Sequence, residues 1–233
     1  MESTSIFNQD FVFHIFRWIH FMAGIVWIGM LYYFNFVQGA FFNEADGQTK
    51  SACIRGLVPR ALWWFRWGAM VTFLSGVVML GLVSHGNAAI FTTSYGVWIL
   101  IGSALGTIMF LNVWLVIWPN QKIVIASAQA VANGGQADPK AAGAAARAGI
   151  ASRTNVLFSI PMLFMMGASR HLPLAISPET NWMNIILALA VIIGLLEVNA
   201  LFGKMGPLAK IAGVIHLGIV LTAVIFGVTV AMV

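Results

Sequence analysis

Long apolar runs separated by short polar segments dominate the sequence. A helix of about 20 apolar residues crosses the hydrocarbon core of a bilayer, and most of these runs reach that length. The runs are continuous rather than alternating in polarity, which excludes a transmembrane β-barrel. The pattern predicts about six membrane-spanning helices, the fourth being short: Phe11 to Val37, Leu62 to Ser84, Tyr95 to Trp118, Asn155 to Ala168, Trp182 to Phe202 and Leu208 to Met232.

The composition supports the same fold class. Of the 233 residues, 60% are hydrophobic and 8% are charged, whereas about a quarter are charged in an ordinary soluble domain. A water-soluble fold is therefore excluded. The first apolar run is too long for a cleaved signal peptide, and Met1 to Thr4 contain no basic residue. We expect an all-α, polytopic bundle that forms a single integral membrane domain over residues 1–233.

Basic residues are distributed unevenly between the loops of this predicted topology. If the chain starts outside, ten of the 12 Lys and Arg residues lie in or beside the cytoplasmic loops, and only Arg17 and Arg170 lie on the other side. This positive-inside bias predicts that both termini face the periplasm or its equivalent. It also explains the net charge of +5 without a nucleic-acid partner.

One predicted loop is much longer than the others. It runs from Pro119 to Arg153, and Asp138-Pro139 resembles an N-cap followed by a first-turn proline. The pattern predicts a cytoplasmic loop, residues 119–153, that contains a short surface helix. On the third span, Gly102 and Gly106 form a pair of small residues that allows close approach of another helix.

Ionisable side chains within the apolar runs are the candidates for chemistry, because such groups are costly to hold in a bilayer. The sequence has five histidines and one cysteine, Cys53. These numbers favour imidazole ligation of a non-covalent b-type haem and exclude a covalent c-type haem. The residues to be explained are His14, Arg17, His20, His85, His171, Glu197 and His216.

Depth along each helix separates these candidates. At about 1.5 Å per residue, His20 lies roughly 15 Å below the outer surface. Small neighbours, Ala23, Gly24 and Gly29, leave room beside it for a flat cofactor. We predict His20 as the axial haem ligand and His216, about 5 Å different in depth, as the second choice.

The remaining polar groups at the outer end have two interpretations. His14, His85 and His171 lie at helix ends, where histidine tolerates water and needs no ligand. Arg17 could pair with a haem propionate or extend to the lipid headgroups.

Glu197 and His216 are nearly equidistant from the short loop between the last two spans. Antiparallel helices would bring them to one depth, where they could hydrogen-bond. Such a carboxylate could orient a metal-bound imidazole or act in a proton relay. Alternatively, the two groups could simply satisfy each other's polarity in an apolar bundle.

Three stretches resemble the membrane domain of the bacterial cytochrome c urate oxidase family, also called urate hydroxylase. They are Arg17-Trp18-Ile19-His20 running to Trp27-Ile28-Gly29; Gly106-Thr107-Ile108-Met109 with Asn112-Val113-Trp114 and Pro119-Asn120-Gln121; and Pro161-Met162-Leu163-Phe164 before His171-Leu172-Pro173. Their order and spacing cover most of the chain. The chain resembles a divergent, short member without the cytochrome c domain.

This resemblance implies a helical bundle of the bacterial inner (cytoplasmic) membrane that is connected with electron transfer, in which urate oxidation delivers electrons to a c-type cytochrome. His20 and His171 match family histidines and are carried over as candidate functional residues. Positions where the family leads us to expect a carboxylate and histidines are occupied by Gly68, Leu100 and Thr154. An active protein would be a urate hydroxylase-like oxidoreductase.

The sequence leaves two functional hypotheses. In the first, the protein binds haem b through His20, His216, His171 and Arg17, with Glu197 as an orienting or proton-relay group, and exchanges electrons with a separate cytochrome partner. In the second, it is a non-catalytic accessory subunit of a larger membrane protein complex.

Overall fold

The computed structural model describes residues 8–233, and these residues form helices and connecting turns with no strand. The helices are α1 (Gln9–Tyr32), α2 (Gly39–Glu44), α3 (Gly47–Ser84), α4 (Ser94–Leu111), α5 (Trp118–Ala132), α6 (Ala141–His171), α7 (Trp182–Phe202) and α8 (Ile211–Met232). A π-helical turn, Tyr33–Gln38, joins α1 to α2, and another, Asn112–Ile117, joins α4 to α5. Short 3₁₀ helices, Ala88–Thr92 and Gly206–Ala209, precede α4 and α8.

The predicted membrane bundle is confirmed in its class and in its number of spans. Among residues 8–233, six helical segments are long and apolar enough to cross a membrane: Gln9–Glu44, Gly47–Ser84, Ser94–Ala132, Ala141–His171, Trp182–Phe202 and Ile211–Met232. The fifth has the predicted bounds, and several of the others are longer than predicted. Residues Met1 to Thr4, on which the signal-peptide argument relied, lie outside the described residues.

Residues 119–153, predicted as a cytoplasmic loop with a short helix, are mostly helical, and their position relative to the membrane stays a prediction. The third span continues through its π-helical turn into α5, and α6 already begins at Ala141, so only residues 133–140 connect two long helices. This segment is rich in alanine, the best helix former. Packing of α5 against α6 buries Ile125, Ala148 and Ala151, which stabilises helix beyond the predicted spans. Asp138 lies three residues before the helix start and accepts a hydrogen bond from the Lys140 N–H.

Helix α6 lies at the centre of the bundle and packs against α4, α5, α7 and α8. Its contact with α4 is close because α4 presents small residues, as the sequence predicted. A Cβ added at Gly102 would lie 2.8 Å from Met166 Cγ, and one at Gly106 would lie 4.0 Å from Met162 Cγ. Helix α1 packs mainly on α3, so the bundle leaves space between these two helices and the α4–α6 pair.

Both described ends of the chain lie on one side of the bundle. Gln9 Nε2 and His85 Nδ1 are 2.9 Å apart, next to the α3–α4 connection. The Ser177 N–H donates to the Val233 carbonyl oxygen over 2.9 Å, next to the α6–α7 connection. We call this side the His171 end and the opposite side the 133–140 end. The assignment of the His171 end to the periplasm stays a prediction.

Asp46 caps the N-terminus of α3 outside the membrane-spanning helices. Its carboxylate accepts hydrogen bonds from the Thr49 hydroxyl and from the Thr49 and Gln48 N–H groups, which lowers the pKa of Asp46. We therefore expect Asp46→Ala to speed amide hydrogen exchange at Gln48 and Thr49, because their N–H groups lose an acceptor.

This effect of Asp46 should depend on pH. Because the pKa is lower in the folded chain, the cap is fully present above the ordinary carboxyl pKa and is lost as the pH falls through the lowered value. Over that pH range, the difference in amide hydrogen-exchange rate between wild type and Asp46→Ala should shrink. Asp46→Asn, an uncharged cap, should retain protection without that pH dependence, and equal pH dependence in both proteins would contradict the assignment.

Candidate functional site

A cavity of about 630 Å³ opens between α1, α3, α4 and α6 towards the His171 end. Its walls are mostly apolar, with Phe21, Phe73 and Met162 among the lining side chains. Two of the predicted site residues, His20 and His171, border this same cavity. A large apolar cavity with a few converging polar groups is the usual form of a ligand site.

The imidazole of His20 is held from one side by α3. Its Nδ1 lies 3.2 Å from Ser75 Oγ, and that hydroxyl lies 2.6 Å from the Val71 carbonyl oxygen. Two oxygens approach so closely only when a hydrogen lies between them, so Ser75 donates to Val71 and accepts from His20 Nδ1–H. In the neutral imidazole, Nε2 is then the unprotonated nitrogen, which is the one that can bind a metal.

Glycines make space around this imidazole. A Cβ added at Gly76 on α3 would lie 3.2 Å from His20 Cε1. Gly24 and Gly106 border the same cavity from α1 and α4. Larger residues at these positions would reduce the space beside His20. The lack of side chains on three different helices therefore shapes the cavity.

The cation at the cavity is Arg170, not the predicted Arg17. Arg170 lies next to His171 at the end of α6 and lines the cavity, with its guanidinium carbon 4.7 Å from the centre of the Tyr95 ring. The guanidinium of Arg17 packs 4.7 Å from the centre of the Phe13 ring, and Arg17 does not border the cavity. Arg17 thus lies outside the lining of this cavity, and its two interpretations, pairing with a haem propionate or extension to the lipid headgroups, stay predictions.

The predicted pair of Glu197 and His216 does not form. His216 is exposed on the outer face of α8 and makes no hydrogen bond to any described residue. Glu197 instead turns towards α4 and accepts a hydrogen bond from Asn112 Nδ2 over 3.0 Å. Residues at one depth need not share a helix face, because each step along a helix rotates the side chain by about 100°. His216 also lies away from the cavity that contains His20.

Glu197 belongs to a buried amide network that sequence reasoning missed. Asn112, in the second π-helical turn, donates with Nδ2 to both Glu197 Oε2 and Asn155 Oδ1, each over 3.0 Å. Asn155 Nδ2 in turn donates to the Met109 carbonyl oxygen over 2.9 Å. Asn112 and Asn155 are almost fully buried. The network links α4, α6 and α7, and apolar runs that contain isolated asparagines are the sequence signal for it.

The other two histidines lie away from the cavity, at the helix ends where the sequence placed them. His14 is exposed on α1. His85 ends α3 in a left-handed conformation, with φ of 44°, and its Nδ1 is within hydrogen-bonding distance of Gln9. Within the described residues, no three His, Cys, Asp or Glu side chains form a cluster that could hold a metal ion. A haem, which needs one or two imidazoles, remains compatible with this arrangement.

The three positions at which the family resemblance led us to expect polar groups do not converge on one site. Gly68 lies at the crossing of α1 and α3, where an added Cβ would be 3.1 Å from the Trp27 backbone nitrogen. Leu100 is 41% exposed on the outside of α4. Thr154 is buried in α6 and its hydroxyl has no hydrogen-bond partner in the described part of the chain.

Several residues that shape the cavity escaped sequence reasoning. Ser75 and Gly76 belong to a Ser-Gly step in an otherwise apolar helix, which resembles ordinary helix packing. Arg170 directly precedes the predicted His171, and this adjacency of a cation to a candidate histidine is its signal in the sequence.

Comparison with known proteins identifies the family. The family described as Urate oxidase N-terminal matches residues 89–232, more than half of the chain. The matched range includes His171 and the motifs at 106–121 and 161–173, whereas His20 precedes it. No curated protein and no solved structure shows significant similarity. The chain therefore belongs to the urate oxidase N-terminal family.

Proposed function

We propose that this chain is a urate-oxidase-like electron-transfer protein of the bacterial inner membrane. It holds a b-type haem in the His20 cavity and exchanges electrons with a separate c-type cytochrome. The observation that carries this proposal is the His20 imidazole, which Ser75 orients at the edge of a large apolar cavity. Family membership supports urate as the source of the electrons.

The residues around the cavity fit a haem. His20 would bind the iron through Nε2, and His171 would supply a second imidazole from α6 in place of His216. Arg170 is the cation available to a propionate, a pairing that Arg-carboxylate geometry favours. Phe21, Phe73 and Met162 offer the apolar surface that a porphyrin ring requires. The bound iron would supply reversible one-electron transfer.

The chain's own residues act by orientation and by exclusion of water. Ser75 fixes the tautomer of His20 and keeps its ring facing one way, and such support from a neighbouring group raises metal affinity about 10- to 100-fold. The apolar walls lower the local dielectric constant, which stabilises less charged states of a bound iron. Glu197, which lies outside this cavity, takes no part in haem binding.

The test is a pyridine haemochrome spectrum of the chain purified in detergent from haem-replete cells. We expect a b-type signal that His20→Ala abolishes and that Ser75→Ala weakens. His14→Ala, on the same helix but outside the cavity, is the matched control and should retain the signal, as should His216→Ala. A folded, colourless wild-type protein, or an unchanged spectrum in His20→Ala, would overturn the proposal.

One observation favours a second function, that of a non-catalytic accessory subunit in a larger membrane complex. His216 presents an imidazole outward from the second turn of α8 without a hydrogen-bond partner among the described residues. Polar side chains in membrane helices rarely face lipid, so a partner subunit would cover this position. Colourless protein that co-purifies with a large assembly would support this alternative over haem binding.

A further inference from the structure

The exposed side chains of α3 change from charged to aromatic and then to aliphatic along the helix. Arg55 and Arg60 are exposed near its start, and Val71 and Leu74 are exposed further on. Three exposed tryptophans separate these two groups: Trp63, Trp64 and Trp67. Tryptophan is enriched at the boundary between the hydrocarbon core and the lipid headgroups. We therefore place the membrane surface at the 133–140 end of the bundle at the level of these tryptophans.

Arg66 lies at this level and extends from α3 to the junction of α4 and α5. Its guanidinium carbon lies 3.9 Å from the centre of the Trp118 ring and 5.7 Å from the centre of the Trp114 ring. Contacts of a cation with aromatic rings hold the guanidinium in one place. The Nε atom of Arg66 is buried without a hydrogen-bond partner among the described residues. Its Nη groups also lack such a partner but are not buried, so they can donate to a ligand.

Lys122 brings a second positive charge to the same aromatic ring. Its Nζ atom lies 5.6 Å from the centre of the Trp118 ring. Lys122 is exposed on α5, one turn after Trp118. Neither Lys122 nor Arg66 forms an ion pair with a carboxylate in the part of the chain that the structure describes. Two cations from different helices therefore share one aromatic ring without a counter-charge.

Apolar surface continues from these cations along both helices, away from the 133–140 end. The Trp67 ring packs with its centre 5.6 Å from that of Trp114, which connects α3 to the second π-helical turn. Leu111 and Leu115, which precede Trp118, are 43% and 68% exposed. A molecule with an anionic group and long apolar chains would match both parts of this surface.

We propose that Arg66, Lys122 and Trp118 form a binding site for the phosphate group of an anionic phospholipid. Arg66 donates to the phosphate oxygens through its Nη groups, a geometry that suits a guanidinium. Lys122 adds a second charge and repels the terminal ammonium of a zwitterionic lipid. Basic groups between membrane helices bind acidic headgroups in this way. The acyl chains lie along the exposed apolar side chains of α3 and α4. This inference goes beyond haem binding and does not depend on it.

Native mass spectrometry of the full chain, released from detergent micelles, tests the proposal by counting bound lipids. The probes are phosphatidylglycerol and phosphatidylcholine with identical acyl chains, so that only the headgroup differs. We expect phosphatidylglycerol to bind about tenfold more tightly, because each basic residue beside a headgroup favours an anionic lipid several-fold. Equal affinity for the two lipids, or no binding of phosphatidylglycerol to folded protein, would overturn the proposal.

A pair of matched variants assigns the binding to this site. Arg66→Gln should weaken phosphatidylglycerol binding about fivefold or more. Arg60→Gln removes the same charge from an exposed position on the same helix and should retain the affinity within about twofold. The variants differ from wild type in mass, so each can be compared with it in one sample. An equal loss in both variants would indicate general attraction to a basic surface and would contradict the site.

Two further variants keep the test independent of how well Arg66→Gln folds. Lys122 is exposed, so Lys122→Gln should fold normally, and it should reduce the preference for phosphatidylglycerol about threefold. Arg66→Lys keeps the charge but loses the planar guanidinium, so it should retain only part of the affinity. An unchanged preference in Lys122→Gln would show that the two cations do not share one ligand, against the proposal.

Competition separates a lipid site from a site for a soluble phosphate compound. Glycerol phosphate carries the phosphate without acyl chains, so a millimolar excess of it should leave phosphatidylglycerol bound. Displacement of the lipid would mean that the phosphate alone is recognised, and the lipid proposal would then be wrong. The haemochrome spectrum should be the same in all these variants as in wild type, which separates failure here from failure of the haem proposal.

Discussion

Glutamate at position 68 should prevent α1 and α3 from packing together. An added Cβ would lie 3.1 Å from the Trp27 backbone nitrogen and 3.3 Å from the Ala23 carbonyl oxygen. Both are main-chain atoms of α1, so the helices themselves would have to separate. The change would also bury a carboxylate without a partner. We expect Gly68→Glu to lower the free energy of unfolding by at least about 3 kcal/mol, measured by denaturation in mixed micelles.

Two controls separate the causes of this loss. Gly68→Ala adds the Cβ without a charge and should cost less than Gly68→Glu. Leu100→Ala changes an exposed apolar position on α4 without adding a polar group and should cost less than about 1 kcal/mol. Wild-type stability of Gly68→Glu would contradict the described crossing of α1 and α3. The expected result means that a carboxylate at position 68 requires a different packing of these two helices.

Asn112→Leu should loosen the attachment of α7. The variant leaves Asn155 Oδ1 and Glu197 Oε2 without the Nδ2 donor that both now share. Hydrogen bonds between membrane helices are worth about 0.6 kcal/mol on average and up to about 1.7 kcal/mol. Loss of the shared donor should therefore cost about 1 to 3 kcal/mol of unfolding free energy. Hydrogen exchange should increase first in α7, which packs mainly on α6 and α8.

A double-mutant cycle checks the coupling directly. Asn112→Leu and Glu197→Leu together should destabilise the protein less than the sum of the single changes, because each removes the same hydrogen bond. Asn184→Leu, at an exposed position on α7, is the matched control and should leave both stability and exchange unchanged. Strict additivity of the two changes would show that Glu197 and Asn112 are not paired.

The sequence predicted the number of spans because the length of an apolar run determines whether it can cross a bilayer. It did not predict where several helices end. Residues 118–132 and 141–154 are alanine-rich and weakly apolar, and they are helical partly because α5 and α6 bury Ala148 and Ala151 between them. That stabilisation depends on tertiary contacts, which hydropathy along the chain does not report.

The candidate site was predicted in part for a similar reason. Depth placed Glu197 and His216 at one level, but depth leaves the rotation of each helix undetermined. Buried positions on α8 follow Val214, Gly218, Leu221 and Ile225, a stripe with spacings of four and three. His216 lies two residues from Val214 and from Gly218, about 200° around the helix, and therefore faces outward. This stripe of buried positions could be read from the sequence only with the packing partner known.

The location of both described ends at the His171 end has a practical consequence for membrane insertion. Because the six spans form three hairpins, each hairpin can enter the bilayer without carrying a chain end across it. Any soluble module fused before Gln9 or after Val233 would reach the same compartment as the other, close to the entrance of the haem pocket proposed above. An electron acceptor tethered at either end would thus face the mouth of that pocket.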